Sequence, residues 1–139
     1  SLSPGAVCMK RFATLIAMFG LLASPALATP EFQKEWKSHY LPEDVDPAFK
    51  AAAGKAGCNV CHVKREGAKK TERNEYGKAV SEFLKKEKFT KDWIKANPEE
   101  AKKLILEGLE KAGEKKSSDG MTFDEKIKAG TLPATDSGL

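Results

Sequence analysis

Gly57-Cys58-Asn59-Val60-Cys61-His62-Val63 places two cysteines three positions apart, with a histidine directly after the second. The residues on either side read as helix. Upstream, Asp46-Pro47 is an N-cap and N1 pair, and Phe49 with Ala51-Ala52-Ala53 continues a helix as far as Gly54. Downstream, Lys64 to Arg73 is a polar, basic loop. Asn74 then caps a helix whose apolar face is Tyr76, Val80, Phe83 and Leu84. Cys58 to Val63 therefore sits on a short turn between two helices.

The same signals recur along the chain. Phe32, Trp36 and Tyr40 repeat every four residues and predict a first helix, opened by Thr29-Pro30 and stopped by Leu41-Pro42. Thr90 caps a short turn carrying Trp93 and Ile94. Asn97-Pro98 opens a longer helix with Glu99 and Glu100 in its first turn. Its buried stripe is Ala101, Leu104, Ile105, Gly108 and Leu109, and Gly113 ends it. Thr122 and Glu125 match a capping box before Phe123 and Ile127. Gly130 and Pro133 terminate the fold. No stretch alternates with period two, and Val and Ile are sparse. The expected class is all-α: a small bundle of four or five helices.

The N-terminus reads as a leader. Lys10 and Arg11 form a basic n-region, Phe12 to Leu22 is small or apolar throughout, and Ala26-Leu27-Ala28 is a cleavage site. The run is too short to span a bilayer comfortably, so no stable membrane anchor is expected after cleavage. The expected division is leader and signal peptide over 1–28, with the signal at 9–28, an N-terminal helix and linker over 29–45, a central domain over 46–133 and a flexible tail over 134–139. Export to the periplasm or an equivalent compartment follows. Losing Lys10 and Arg11 lowers the formal charge from +4 to +2. So even a balance argues against a nucleic-acid partner. Cys8 leaves with the leader, and only Cys58 and Cys61 remain.

Two cysteines in an oxidising compartment usually form a disulfide, but that leaves His62 unexplained. A redox dithiol wants a βαβ context, which is missing. A zinc site wants a fourth ligand, and His39 completes it poorly. C-x-x-C-H is the attachment motif of c-type haem. Each thiol adds to one vinyl group, and the adjacent histidine supplies the proximal ligand to iron. One covalent haem c, held by Cys58, Cys61 and His62, is the expected cofactor, and the helices would pack around it. Trp36, Tyr40, Phe49, Tyr76, Phe83, Trp93 and Phe123 are candidates to line it.

With that motif in place, the chain resembles the class I-like monohaem cytochromes c over about Asp46 to Gly130. Asn74-Glu75-Tyr76-Gly77 is similar to the N-x-x-G that follows the haem loop in that family. The family often places a proline before this segment, whose carbonyl holds the proximal histidine. Arg73 stands there in this chain, and another backbone carbonyl would have to substitute. The resemblance implies an axial methionine about where Met121 lies, 59 residues after His62. His39 is the alternative distal ligand.

The resemblance implies a one-electron carrier and no enzyme. A haem enzyme or gas-binding protein with an open sixth position is the first rival, and a haem subunit of a larger respiratory complex the second. Lys64, Arg65, Lys69, Lys70 and Arg73 surround the motif in sequence. They read as a docking patch for redox partner proteins.

Overall fold

The structure is a computed structural model that describes residues 29–139; the expected leader lies outside them. Six α-helices and one 310 turn appear among the described residues, with no strand. They are α1 (Thr29–Tyr40), α2 (Pro47–Ala56), the 310 turn Gly57–Val60, α3 (Glu75–Phe83), α4 (Lys91–Ala96), α5 (Pro98–Gly113) and α6 (Phe123–Lys128). The all-α expectation holds, with one helix more than the upper figure. None of the described helices is long and apolar enough to cross a membrane.

Local chemistry sets most of the helix ends. The Asp46 side chain accepts from Ala48 N at 3.3 Å and Pro47 opens α2. Asn74 Oδ1 accepts from Gly77 N at 2.8 Å, and Thr90 Oγ1 from Trp93 N at 3.2 Å. Thr122 and Glu125 form the reciprocal capping box at 3.1 and 2.8 Å. Two ends differ from expectation. Gly54 lies inside α2, which continues to Ala56 until Gly57 turns the chain at φ +53°. Asn97 makes no side-chain cap, and its Nδ2 instead donates to Trp93 O at 3.0 Å.

Helix α5 is the centre of the packing. It meets α3, α1, α6 and α4 through a face of Ala101, Ile105, Gly108, Leu109 and Ala112. The spacing of these residues is that of one helical stripe. Trp36 and Tyr40 join the same core from α1, with Phe49, Tyr76, Val80, Leu84, Phe123 and Ile127. So α1 belongs to the central domain; the boundary expected at Asp46 does not separate it. Its aromatic stripe is what binds it, since large rings bury the most apolar area per residue.

The C-terminal segment is also anchored, in place of the loose tail expected over 134–139. Ser137 O accepts from Lys64 N at 2.7 Å, and Asp136 Oδ1 from Glu75 N at 2.8 Å. Glu75 Oε1 accepts from Thr135 N and Thr135 Oγ1, both at 2.9 Å. Pro133 and Ser137 are buried. The tail thus closes over the start of α3 and the residue two places beyond His62.

Candidate haem-binding site

Cys58, Cys61 and His62 share the wall of one cavity of about 940 Å³, inside the range of about 300–1,000 Å³ usual for ligand and cofactor sites. Its apolar walls come from Phe32 and Trp36 on α1, Ala53 on α2, Val60 on the 310 turn, Val80 on α3, Leu84 and, from α5, Leu109. Among the aromatic residues proposed from the sequence, only Trp36 lines it. Tyr40, Phe49, Tyr76 and Phe123 are buried elsewhere in the core, Phe83 is exposed and Trp93 is half-buried.

The motif is held from behind by Asn74, which is fully buried. Its backbone N–H donates to Cys61 O at 3.0 Å. Its side-chain amide donates to Val60 O at 3.0 Å, Asn59 O at 3.2 Å and His62 O at 3.3 Å. The same residue caps α3 through Oδ1. One side chain therefore ties the start of α3 to the backbone between the two cysteines. Three positions on, Gly77 is pressed against Cys61: a Cβ there would lie 1.9 Å from the Cys61 carbonyl oxygen. Asn74-x-x-Gly77 has a physical role in this chain, an amide anchor followed by a point of close approach.

His62 is half-buried and oriented by its own loop. Its Nδ1 lies 3.1 Å from the Glu72 carbonyl oxygen, which also accepts from Val63 N at 3.1 Å. A carbonyl only accepts, so Nδ1 carries the proton and the Nε2 lone pair is left free. This is the arrangement that fixes a metal-ligating imidazole. The supporting carbonyl belongs to Glu72, the residue before Arg73.

Cys58 and Cys61 are free thiols, the first exposed and the second half-buried. Burial pushes the Cys61 thiol up to about 12; nearby Cys58 adds to the rise and Arg73 opposes it. A thiol so reluctant to ionise is a poor nucleophile in the folded chain. Among the described residues no group of three or more His, Cys, Asp or Glu is arranged to hold a bare metal ion.

All five basic residues singled out from the sequence stand around this cavity: Lys64, Arg65, Lys69, Lys70 and Arg73. Lys37 and Lys86 join them, from α1 and from the turn after α3. Nothing in the sequence near the motif pointed to these two. Arg65 pairs with Glu72, the residue that orients His62.

The two distal-ligand candidates stand apart from the cavity. Met121 is 44% exposed in the loop between α5 and α6. Its N–H donates to Asp119 Oδ1 at 3.1 Å and its carbonyl accepts from Ser117 N at 2.8 Å. His39 is exposed on α1, its ring edge-on to Tyr40 at 4.5 Å between centroids. Neither lines the wall that holds His62, and His62 is the only histidine that does.

No protein-family model matches this chain, and neither the curated proteins nor the solved structures contain a match to it.

Proposed function

We propose that this chain is an exported monohaem c-type cytochrome that transfers single electrons between partner proteins. The observation that carries the reading is the His62–Glu72 contact at 3.1 Å, in a cavity wall that also holds both cysteines. Cys58 and Cys61 would hold the haem by two thioethers, and His62 Nε2 would ligate its iron. The haem would supply an iron that gains and loses one electron. The chain's own residues do the rest. Asn74 and Gly77 fix the attachment backbone, and Glu72 orients the imidazole. Phe32, Trp36, Leu84 and Leu109 would keep water from the haem, and burial of this kind is one of the levers that set its reduction potential. The basic rim offsets the haem propionates and attracts an acidic partner surface.

Electronic spectra of the denatured, reduced protein test the reading. The expected spectrum is that of a haem whose two vinyl groups are saturated, and it should be lost in the Cys58→Ala, Cys61→Ala double variant. A haem removable by acid and organic solvent from the unaltered chain would refute it.

A second reading, a gas-binding protein or haem enzyme with an open sixth position, is favoured by the cavity wall. Among the described residues that wall contains no methionine and no second histidine. High-spin ferric haem, with carbon monoxide binding that displaces no protein ligand, would select this reading over the carrier.

A further inference from the structure

The chain contains two tyrosines and two tryptophans, and three of these four rings share one buried row. Trp36 lines the cavity, and its Nε1 donates to the Tyr76 hydroxyl at 2.9 Å. The Trp36 and Tyr40 rings lie 5.3 Å apart between centroids at 45°. The Tyr40 hydroxyl donates to Asp124 Oδ1 at 2.9 Å. Asp124 lies on α6, half-exposed, with Lys128 Nζ 3.7 Å away. The row runs from the cavity wall to the surface of α6.

Core packing explains why the rings are buried. It does not require that the row end on a carboxylate. Room for that contact is made by Gly113, where a Cβ would stand 2.5 Å from Asp124 Oδ1 and 3.1 Å from the Tyr40 hydroxyl. A buried phenol gives up an electron readily only if its proton leaves too, because a cation in the interior is costly. Asp124 is a base within hydrogen-bond reach of that proton. Burial, with the Asp124 hydrogen bond and charge adding to it, raises the Tyr40 hydroxyl above its ordinary range, so the proton does not leave by itself.

We propose that Trp36 and Tyr40, whose rings pack directly on one another, form a redox relay from the haem cavity to the α6 surface, with Asp124 as the base that takes the Tyr40 proton. Its cavity end rests on the haem reading above. A high-potential metal-complex oxidant at α6, of the ruthenium(III) polypyridyl class, removes one electron from Tyr40 and is itself reduced by one electron. The phenolic O–H bond breaks and the proton moves to Asp124 Oδ1, leaving a neutral tyrosyl radical and a carboxylic acid. One electron from the reduced cavity end, by way of Trp36, refills Tyr40, and the proton returns from Asp124. The net change is one electron passed outward and no proton consumed.

The test tethers a ruthenium polypyridyl photo-oxidant to α6 through Lys128→Cys in the reduced holoprotein, with haem content first counted by mass. After the flash, a transient tyrosyl signal should rise and then decay as the haem is oxidised. Tyr40→Phe, which deletes one hydroxyl and keeps the ring, should abolish that signal and slow haem oxidation at least about tenfold. Asp124→Asn should slow it similarly with Tyr40 in place. Equal rates in the labelled parent and in Tyr40→Phe, or a tyrosyl signal that survives Tyr40→Phe, would overturn the relay. If the mass shows no covalent haem, the haem reading fails on that measurement alone. With Cys58→Ala and Cys61→Ala added, so that the label reaches only position 128, the dependence of the tyrosyl signal on Tyr40 and Asp124 then still decides the surface half of the relay.

Discussion

Gly77 stands against the carbonyl of Cys61 so closely that a methyl group on it would lie 1.9 Å from the oxygen. That oxygen belongs to the second cysteine of the C-x-x-C-H motif and accepts from Asn74 N at 3.0 Å. Backbone meets backbone here, so no side-chain rotation relieves the clash. Gly77→Ala should cost about 1–3 kcal/mol or more and reduce the yield of haem-loaded protein. Urea unfolding and haem content per chain measure both, and Lys78→Ala, at an exposed neighbour, should change neither.

Asn74 has two separable roles, because its oxygen caps α3 and its amide holds the motif backbone. Asn74→Ala loses the cap and strands buried carbonyls, and should cost about 2–4 kcal/mol. Asn74→Asp keeps an acceptor for Gly77 N but turns a buried carboxylate oxygen toward the three carbonyls the amide served, so its loss should be at least as large in stability and comparable in haem yield. A clearly smaller loss in Asn74→Asp than in Asn74→Ala would show instead that the α3 cap contributes most of the effect.

The pH dependence follows from Glu75. Burial works to raise its carboxyl, but hydrogen bonds from Ser117, Thr135 and Ser118 outweigh it and hold the group at about 2, below its ordinary 4.5. The charged form is the one the folded state favours. Its contribution is complete above about 4.5 and is lost as pH falls from there through about 2. The tail should therefore loosen in that window, with amide exchange at Lys64, which donates to Ser137 O, rising first. Glu75→Gln should show faster exchange at neutral pH and a flatter acid profile.

Met121 and His39 lie away from the cavity wall. Met121→Ala and His39→Ala should each leave the ferric and ferrous spectra unchanged. A shift to high spin in either variant would mean that the loop before α6, or the exposed face of α1, moves to the iron in the holoprotein.

Features governed by a few consecutive residues were legible in the sequence. The caps at Asn74, Thr90 and Thr122 are of this kind, as is the C-x-x-C-H turn. Features that need two distant segments were not. The aromatic stripe of α1 looked like a separate helix, since nothing local says that Trp36 reaches Tyr76. The tail looked loose because its partner, Glu75, lies 60 residues before Thr135. Met121 has the sequence separation of an axial ligand, yet the Ser117–Met121 hydrogen bond folds its loop back on itself. The basic loop after His62 was visible as composition; that it rings a cavity together with Lys37 and Lys86 depends on how α1 and α3 pack.

The central claim is covalent attachment of one haem at Cys58 and Cys61. Mass spectrometry under denaturing conditions, on protein expressed with a haem-attachment system and exported, tests it most directly. The expected mass is that of the processed chain plus one haem, with both cysteines resistant to alkylation. A bare chain whose two thiols still react would contradict the account.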